Sequence, residues 1–313
     1  MANRGPVPVK SCFIWSIHRK HKRITKEMTM AATKSEVIKI KHLPPLSATA
    51  TRLLELVGDP NVEIDDLTQI IDRDPALSAR ILGLANSAYF AQSRPIHRVR
   101  DAIIRVLGLN MVKSLALSIA MCGAFDTRKC KGFNLEEYWC AALGSAAMSQ
   151  AVATQTHADQ ALLSDSVYLC GMMWNLGALV LAHLYPEGMS QVYATLAEEP
   201  EADARALERQ YIGFDSQQAG AWVAQRWHMP EAVVTAIVHQ GDVNYQGAHE
   251  GEVLITGAVA QWISGYLAGD EALLSEADPL VTRMEIGRDA LRALDTRFRE
   301  QCEELRATAR LLV

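Results

Sequence analysis

The chain divides into segments whose apolar residues recur every three to four positions, separated by proline, glycine and aspartate, and that spacing restricts it to an all-α fold. The sharpest boundary is Asp74-Pro75. An aspartate side chain can accept the free amide hydrogens of a first helical turn, and proline, which has no N–H, suits the first helical position. The segment that follows turns Leu77, Ile81, Leu82 and Leu84 toward a core and ends near Asn86-Ser87. Upstream, Leu43-Pro44-Pro45-Leu46 enters extended, because a residue before proline avoids the helical region. Ser47 then caps a helix through residue 57, with Leu53, Leu54 and Val57 as its apolar stripe, and Gly58-Asp59-Pro60 turns the chain into a short helix over 64–72.

Further helices are expected over 99–107, ending at Gly108, and 109–125, before the polar connector DTRKCKG at 126–132. Beyond it, helices are expected near 135–155, 165–184, 203–210, 216–227, 231–240 (started by Pro230), 252–267 and 285–312. The expected organisation is a basic, disordered tail over 1–36, an N-terminal helical subdomain over 37–126, a second helical subdomain over 132–245, and C-terminal helices over 246–313 packing on the second. The pair at 99–125 has the outline of a DNA-binding helix-turn-helix. Its second helix, however, contains the uncharged run SLALSIAMCGAF, which reads as buried structure and not as a recognition helix.

With 313 residues, 49% of them hydrophobic, the chain can bury one large core or two smaller ones. Its charge is uneven: residues 1–41 carry ten Lys/Arg against Glu27 and Glu36, so a net −5 leaves −13 on the remainder. Such a body repels phosphate backbones, and nucleic acid is not an expected partner except through the basic tail. Residues 1–26 hold no acid, a pattern shared by transit peptides and by an extension ahead of a start at Met28 or Met30, and these stay open. Cys12, Cys122, Cys130, Cys140, Cys170 and Cys302 form no C-x-x-C pair, which suits free thiols in a reducing cytoplasm. Residues 167–185 run without a formal charge, but Asn175, His183 and flanking acids favour a buried core helix over a membrane span.

One family joins these pieces. The run LPPLSATATRLLELVGDPNVEIDDLTQIIDRDPALSARILGLANSAYF, followed by RPIHRVRDAIIRVLGLNMVKSLALSIA, resembles the first half of HDOD domains, the HD-related output domains. Tyr138-Trp139, Gly171-Met172-Met173 with Gly177, Ile212-Gly213-Phe214-Asp215, Trp227 with Pro230, and Ala236-Ile237-Val238-His239 are similar to landmarks of its HD-like second half, so the resemblance covers residues 37–245. It implies bacterial signal transduction on a multi-helix bundle with an HD-like C-terminal subdomain, descended from HD and HD-GYP metal-dependent phosphohydrolases.

Those hydrolases gather histidines and aspartates around one or two metals that acidify a bound water. No His-Asp pair occurs here, and Trp174-Asn175 stands where the resemblance places it. The other former ligand positions fall at Ala141, Ser216 and His239, and only His239 keeps a ligand type. Asp242, three residues beyond it, and the His157/Asp159 pair are poor substitutes. No nucleophile elbow, dinucleotide fingerprint, P-loop or H-E-x-x-H is present, and Cys140 and Cys170 lie on apolar stripes. The expectation is a cytoplasmic regulatory module, not an enzyme, with no catalytic residue, metal or cofactor, which binds protein partners; a homodimer is compatible with it, a membrane is not. A residual metal-dependent phosphohydrolase acting on a nucleotide or phosphoester, and a nucleic-acid-binding regulator using the tail, are the alternatives.

Overall fold

The structure, a computed structural model, describes residues 43–313 except 60, 157–159 and 268–277. The basic tail with Cys12 and the His157/Asp159 pair therefore lie outside the described residues. The described residues form helices and turns, with no strand among them.

Helix α1 (Ala48–Val57) starts where Ser47 Oγ accepts the Ala50 N–H at 3.0 Å. After α2 (Ile64–Asp72), α3 (Pro75–Ala85) opens with Asp74 Oδ1 accepting the Leu77 N–H at 3.1 Å. Asn86 closes α3 and holds the following loop: its Nδ2 donates to Leu82 O and Ile96 O at 2.8 Å each, and its Oδ1 accepts the Ile96 N–H at 2.7 Å. Helix α4 (Val99–Ala102) runs into a π turn (Ile103–Leu107) closed by the Gly108 N–H on Ile103 O at 2.9 Å. The wider turn leaves Ile104 55% exposed while Ile103 stays buried, and Gly108, at φ +79°, redirects the chain into α5 (Leu109–Cys122). Every residue from Ser114 to Ile119 of α5 is buried, Ser114 and Ser118 included, so the uncharged run belongs to the core.

Asn134 caps α6 (Leu135–Ala153), its Oδ1 accepting the Glu136 and Glu137 N–H groups. Every residue from Tyr138 to Ala146 is buried, because α7 (Gln160–Met173), α13 (Glu250–Leu267) and α15 (Arg288–Ala309) pack around α6. The sequence reads 165–184 as one helix. The structure breaks it at Trp174-Asn175 into α7 and α8 (Leu176–Leu184). This apolar stretch, Ser166–Leu184, is long enough to cross a membrane but is 89% buried within the helical body.

Two helices were not anticipated. One is α9 (Pro186–Glu198), whose buried Met189, Val192, Tyr193 and Leu196 do follow the helical spacing; the other is α14 (Pro279–Met284). Glu285, expected to start the last helix, is instead a left-handed turn residue at φ +56°, and α15 begins at Arg288. Between them, α10 (Ala204–Tyr211) packs on α9, α11 (Ser216–Arg226) on α8, and α12 (Glu231–Val238) on α11 and α7.

One continuous apolar core runs from Ala50 to Leu312. Helix α5 joins the first half to α7, while α15 reaches Ala88–Phe90 and the terminal turn Arg310–Leu312 packs on α3 as well as α6. The C-terminal helices thus contact both halves.

Candidate functional site

The positions at which the resemblance to HD hydrolases places metal ligands, Ala141, Trp174-Asn175, Ser216 and His239, lie on α6, at the α7–α8 break, at the start of α11 and at the end of α12. Three contacts link these elements. Asn175 Nδ2 donates to Tyr138 O at 3.4 Å, one helical turn before Ala141. Gly177 packs backbone to backbone on Ser216, so closely that a β-carbon there would overlap the Ser216 carbonyl. Gln217 Nε2 donates to Ile237 O at 3.1 Å and Val238 O at 2.9 Å, and reaches Gln240 O at 3.4 Å, which holds the end of α12 where His239 lies.

The side chains at these positions are a methyl group, an indole, an amide, a hydroxyl and one imidazole. Ala141, Trp174 and Asn175 are buried, and Ser216 is half-buried at the first position of α11. His239 is partly exposed: its ring stacks on Tyr245 with centroids 4.2 Å apart, and Nδ1 lies 3.8 Å from Asp242 Oδ2. Asn175 Oδ1 is buried with no hydrogen-bond partner among the described residues. One amide oxygen and one imidazole are too few to hold a catalytic divalent ion, and no group of three His, Cys, Asp or Glu side chains among the described residues could supply the rest. The donor set does not fit the metal centre of an HD hydrolase.

A polar network not expected from the sequence borders this region. Glu208, on α10, is 5% exposed, and its Oε2 accepts the Ser216 N–H at 2.7 Å. Asp215 caps α11 through a reciprocal pair with Gln218 (2.9 and 3.1 Å) and takes Arg209 Nη1 on its Oδ2 at 2.5 Å. Arg205 Nη1 donates to Gln217 Oε1 at 2.5 Å. Burial pushes the Glu208 carboxyl up to about 7; the hydrogen bonds from Ser216 oppose this and the neighbouring Asp215 adds to it. The D-x-x-Q spacing of Asp215 and Gln218 was the available sequence signal.

All five described cysteines are free and buried, and burial pushes the Cys140 thiol up to about 12 and Cys170 well above its ordinary value. Glu252 Oε1 accepts Ser166 Oγ at 2.8 Å and lies 3.2 Å from His249 Nδ1. The carboxylate sits between the hydroxyl and the imidazole, so the histidine is not placed to take the serine proton.

Residues 43–243 match the HDOD domain. The chain belongs to the HDOD family. An uncharacterized protein of Treponema pallidum (strain Nichols) is 27% identical to it over 232 residues, 74% of this chain and 44% of that protein, so the chain spans less than half of this relative's length. A crystal structure of a candidate signal transduction protein from Marinobacter aquaeolei superposes with a TM-score of 0.77 at 26% identity, covering 90% of this chain and 62% of that one. An HDOD domain protein of unknown function from Geobacter sulfurreducens (TM-score 0.72, 23% identity, 89% and 96% covered) shares the fold. So does a candidate phosphohydrolase from Shewanella amazonensis (TM-score 0.69, 22% identity, 88% and 97% covered).

Proposed function

We propose that this HDOD chain is a non-catalytic signal-transduction module that acts in the bacterial cytoplasm by binding protein partners. The reading is supported by Trp174: a buried indole stands where the resemblance to HD hydrolases places a metal-binding histidine, beside an amide at Asn175 where it places the aspartate. Buried apolar groups on the same stretch, Met172, Met173, Leu176 and Leu179, surround the break with core and leave Ala141 and Ser216 to contribute a methyl and a hydroxyl. A fold relieved of its metal keeps its helical surfaces, and those are what a regulatory module offers a partner.

Metal content and turnover test the reading on one preparation. Iron and manganese are expected well below one per chain, with no hydrolysis of cyclic dinucleotides or generic phosphoesters above background. Stoichiometric metal, with turnover abolished by His239→Ala, would establish the phosphohydrolase alternative. Capture from native lysate, followed by reconstitution with the purified partner, identifies the protein it serves; a salt-sensitive DNA or RNA shift lost with residues 1–41 would instead favour the nucleic-acid reading.

A further inference from the structure

We propose that Glu208 is the proton-holding member of a carboxyl pair at the start of α11, and that losing its proton loosens the grip of α10 and α11 on the end of α12. The two carboxyls of this corner are served unequally. Asp215 is bonded by Arg209 at 2.5 Å and by backbone and side-chain groups of Gln218, whereas Glu208 has only Ser216 as a hydrogen-bond partner and no ion pair among the described residues. A carboxyl that is 5% exposed, beside a second acid and with the nearby Arg205 bonded to Gln217 instead of to it, holds its proton more tightly than a solvated glutamate does. This agrees with burial raising it to about 7.

The titratable and charged groups that act on Glu208 are Tyr193 of α9, Arg205 of its own helix and Asp215 of α11, beside the Ser216 hydrogen bonds, while Arg209 is taken up by Asp215 and Gln217 by Arg205. Neutral Glu208 leaves Arg205 on Gln217 Oε1, which orients the Gln217 amide so that Nε2 binds the carbonyls of Ile237, Val238 and Gln240. Ionised Glu208 attracts Arg205, three residues away on α10, and competes with Gln217 for it. Gln217 then loses the contact that fixes its amide, and the turn carrying His239 is released as pH rises. The inference does not depend on whether the module is catalytic.

Carbon-13 NMR of the full chain labelled at glutamate carboxyls tests this directly, paired with the nitrogen-15 shift of the Gln217 side-chain amide. One carboxyl should titrate near 7, the Gln217 amide should move with the same midpoint, and Glu208→Gln, which keeps an acceptor for the Ser216 N–H, should abolish both. All glutamates titrating in the ordinary range, a Gln217 signal flat across the Glu208 midpoint, or a Gln217 transition that survives in Glu208→Gln would each overturn it. The wild-type titration decides the matter even where the variant folds poorly.

Discussion

Trp174 is 6% exposed, so cutting its side chain back to a methyl group removes apolar surface and leaves a cavity in the middle of the helical body. Trp174→Ala should cost about 3–5 kcal/mol, read as a lower urea midpoint; a near-wild-type midpoint would mean the ring contributes little to the core. Writing the lost signature back with Trp174→His and Asn175→Asp should destabilise the fold and still bind no metal tightly, since Ala141 and Ser216 supply no ligand. Glu208 behaves oppositely. Its carboxyl sits near 7 when folded, above the ordinary 4.5, so the folded state holds the proton more tightly. Stability from this group is complete below about 4.5 and is lost as pH rises through 7, after which the buried charge costs about 3 kcal/mol. Glu208→Gln should therefore gain little at pH 5 and about 3 kcal/mol at pH 8 in paired urea melts, and an equal gain at both pH values would refute the linkage. Trp174 was legible in the sequence as apolar among apolar neighbours. Glu208 was not, because ARALERQY reads as a solvated helix and its burial comes from packing against α9 and the start of α11.

Helix starts were the most readable elements, since Ser47 and Asp74 carry their own side-chain acceptors and act within one turn. Breaks inside apolar runs were not readable. At the break Trp174-Asn175 in the 166–184 stretch, the Asn175 amide reaches the Tyr138 carbonyl on α6, and a periodicity test cannot see a partner 37 residues away. The break sets α8 against α11 at Gly177, where a β-carbon would overlap the Ser216 carbonyl and lie 2.8 Å from the Gly220 nitrogen. Gly177→Ala should therefore cost about 3 kcal/mol or more, although alanine favours helices; a stabilised variant would show that this approach is looser than described. The π turn after α4 carries adjacent isoleucines in different surroundings, Ile103 at 2% exposure and Ile104 at 55%. Ile103→Ala should cost about 2–5 kcal/mol and Ile104→Ala under about 0.5 kcal/mol, a contrast that a regular helix with both side chains packed would not produce.

For the whole molecule, the all-helical class follows from the spacing of apolar residues, but how the halves share a core does not, because that depends on which helix meets which. The connector at 126–132 reads as a boundary, yet it is tied to the second half: the Asp126 N–H donates to His183 Nδ1 at 3.0 Å and the Lys131 N–H to Ser190 Oγ at 2.8 Å. Helix α5 packs on α7, and α15 spans from α6 to the Ala88–Phe90 turn, so neither half closes its apolar surface without the other. A molecule built this way should unfold as one unit, because opening either half exposes core of both. Urea melts followed by tryptophan fluorescence and by far-UV circular dichroism should coincide. All six tryptophans except Trp15 lie between residues 139 and 262, so fluorescence reports chiefly on the second half and dichroism on all helices. If the N-terminal helices formed an independent subdomain, dichroism would show a second transition that fluorescence does not follow, and the continuous core would have to be redrawn as two.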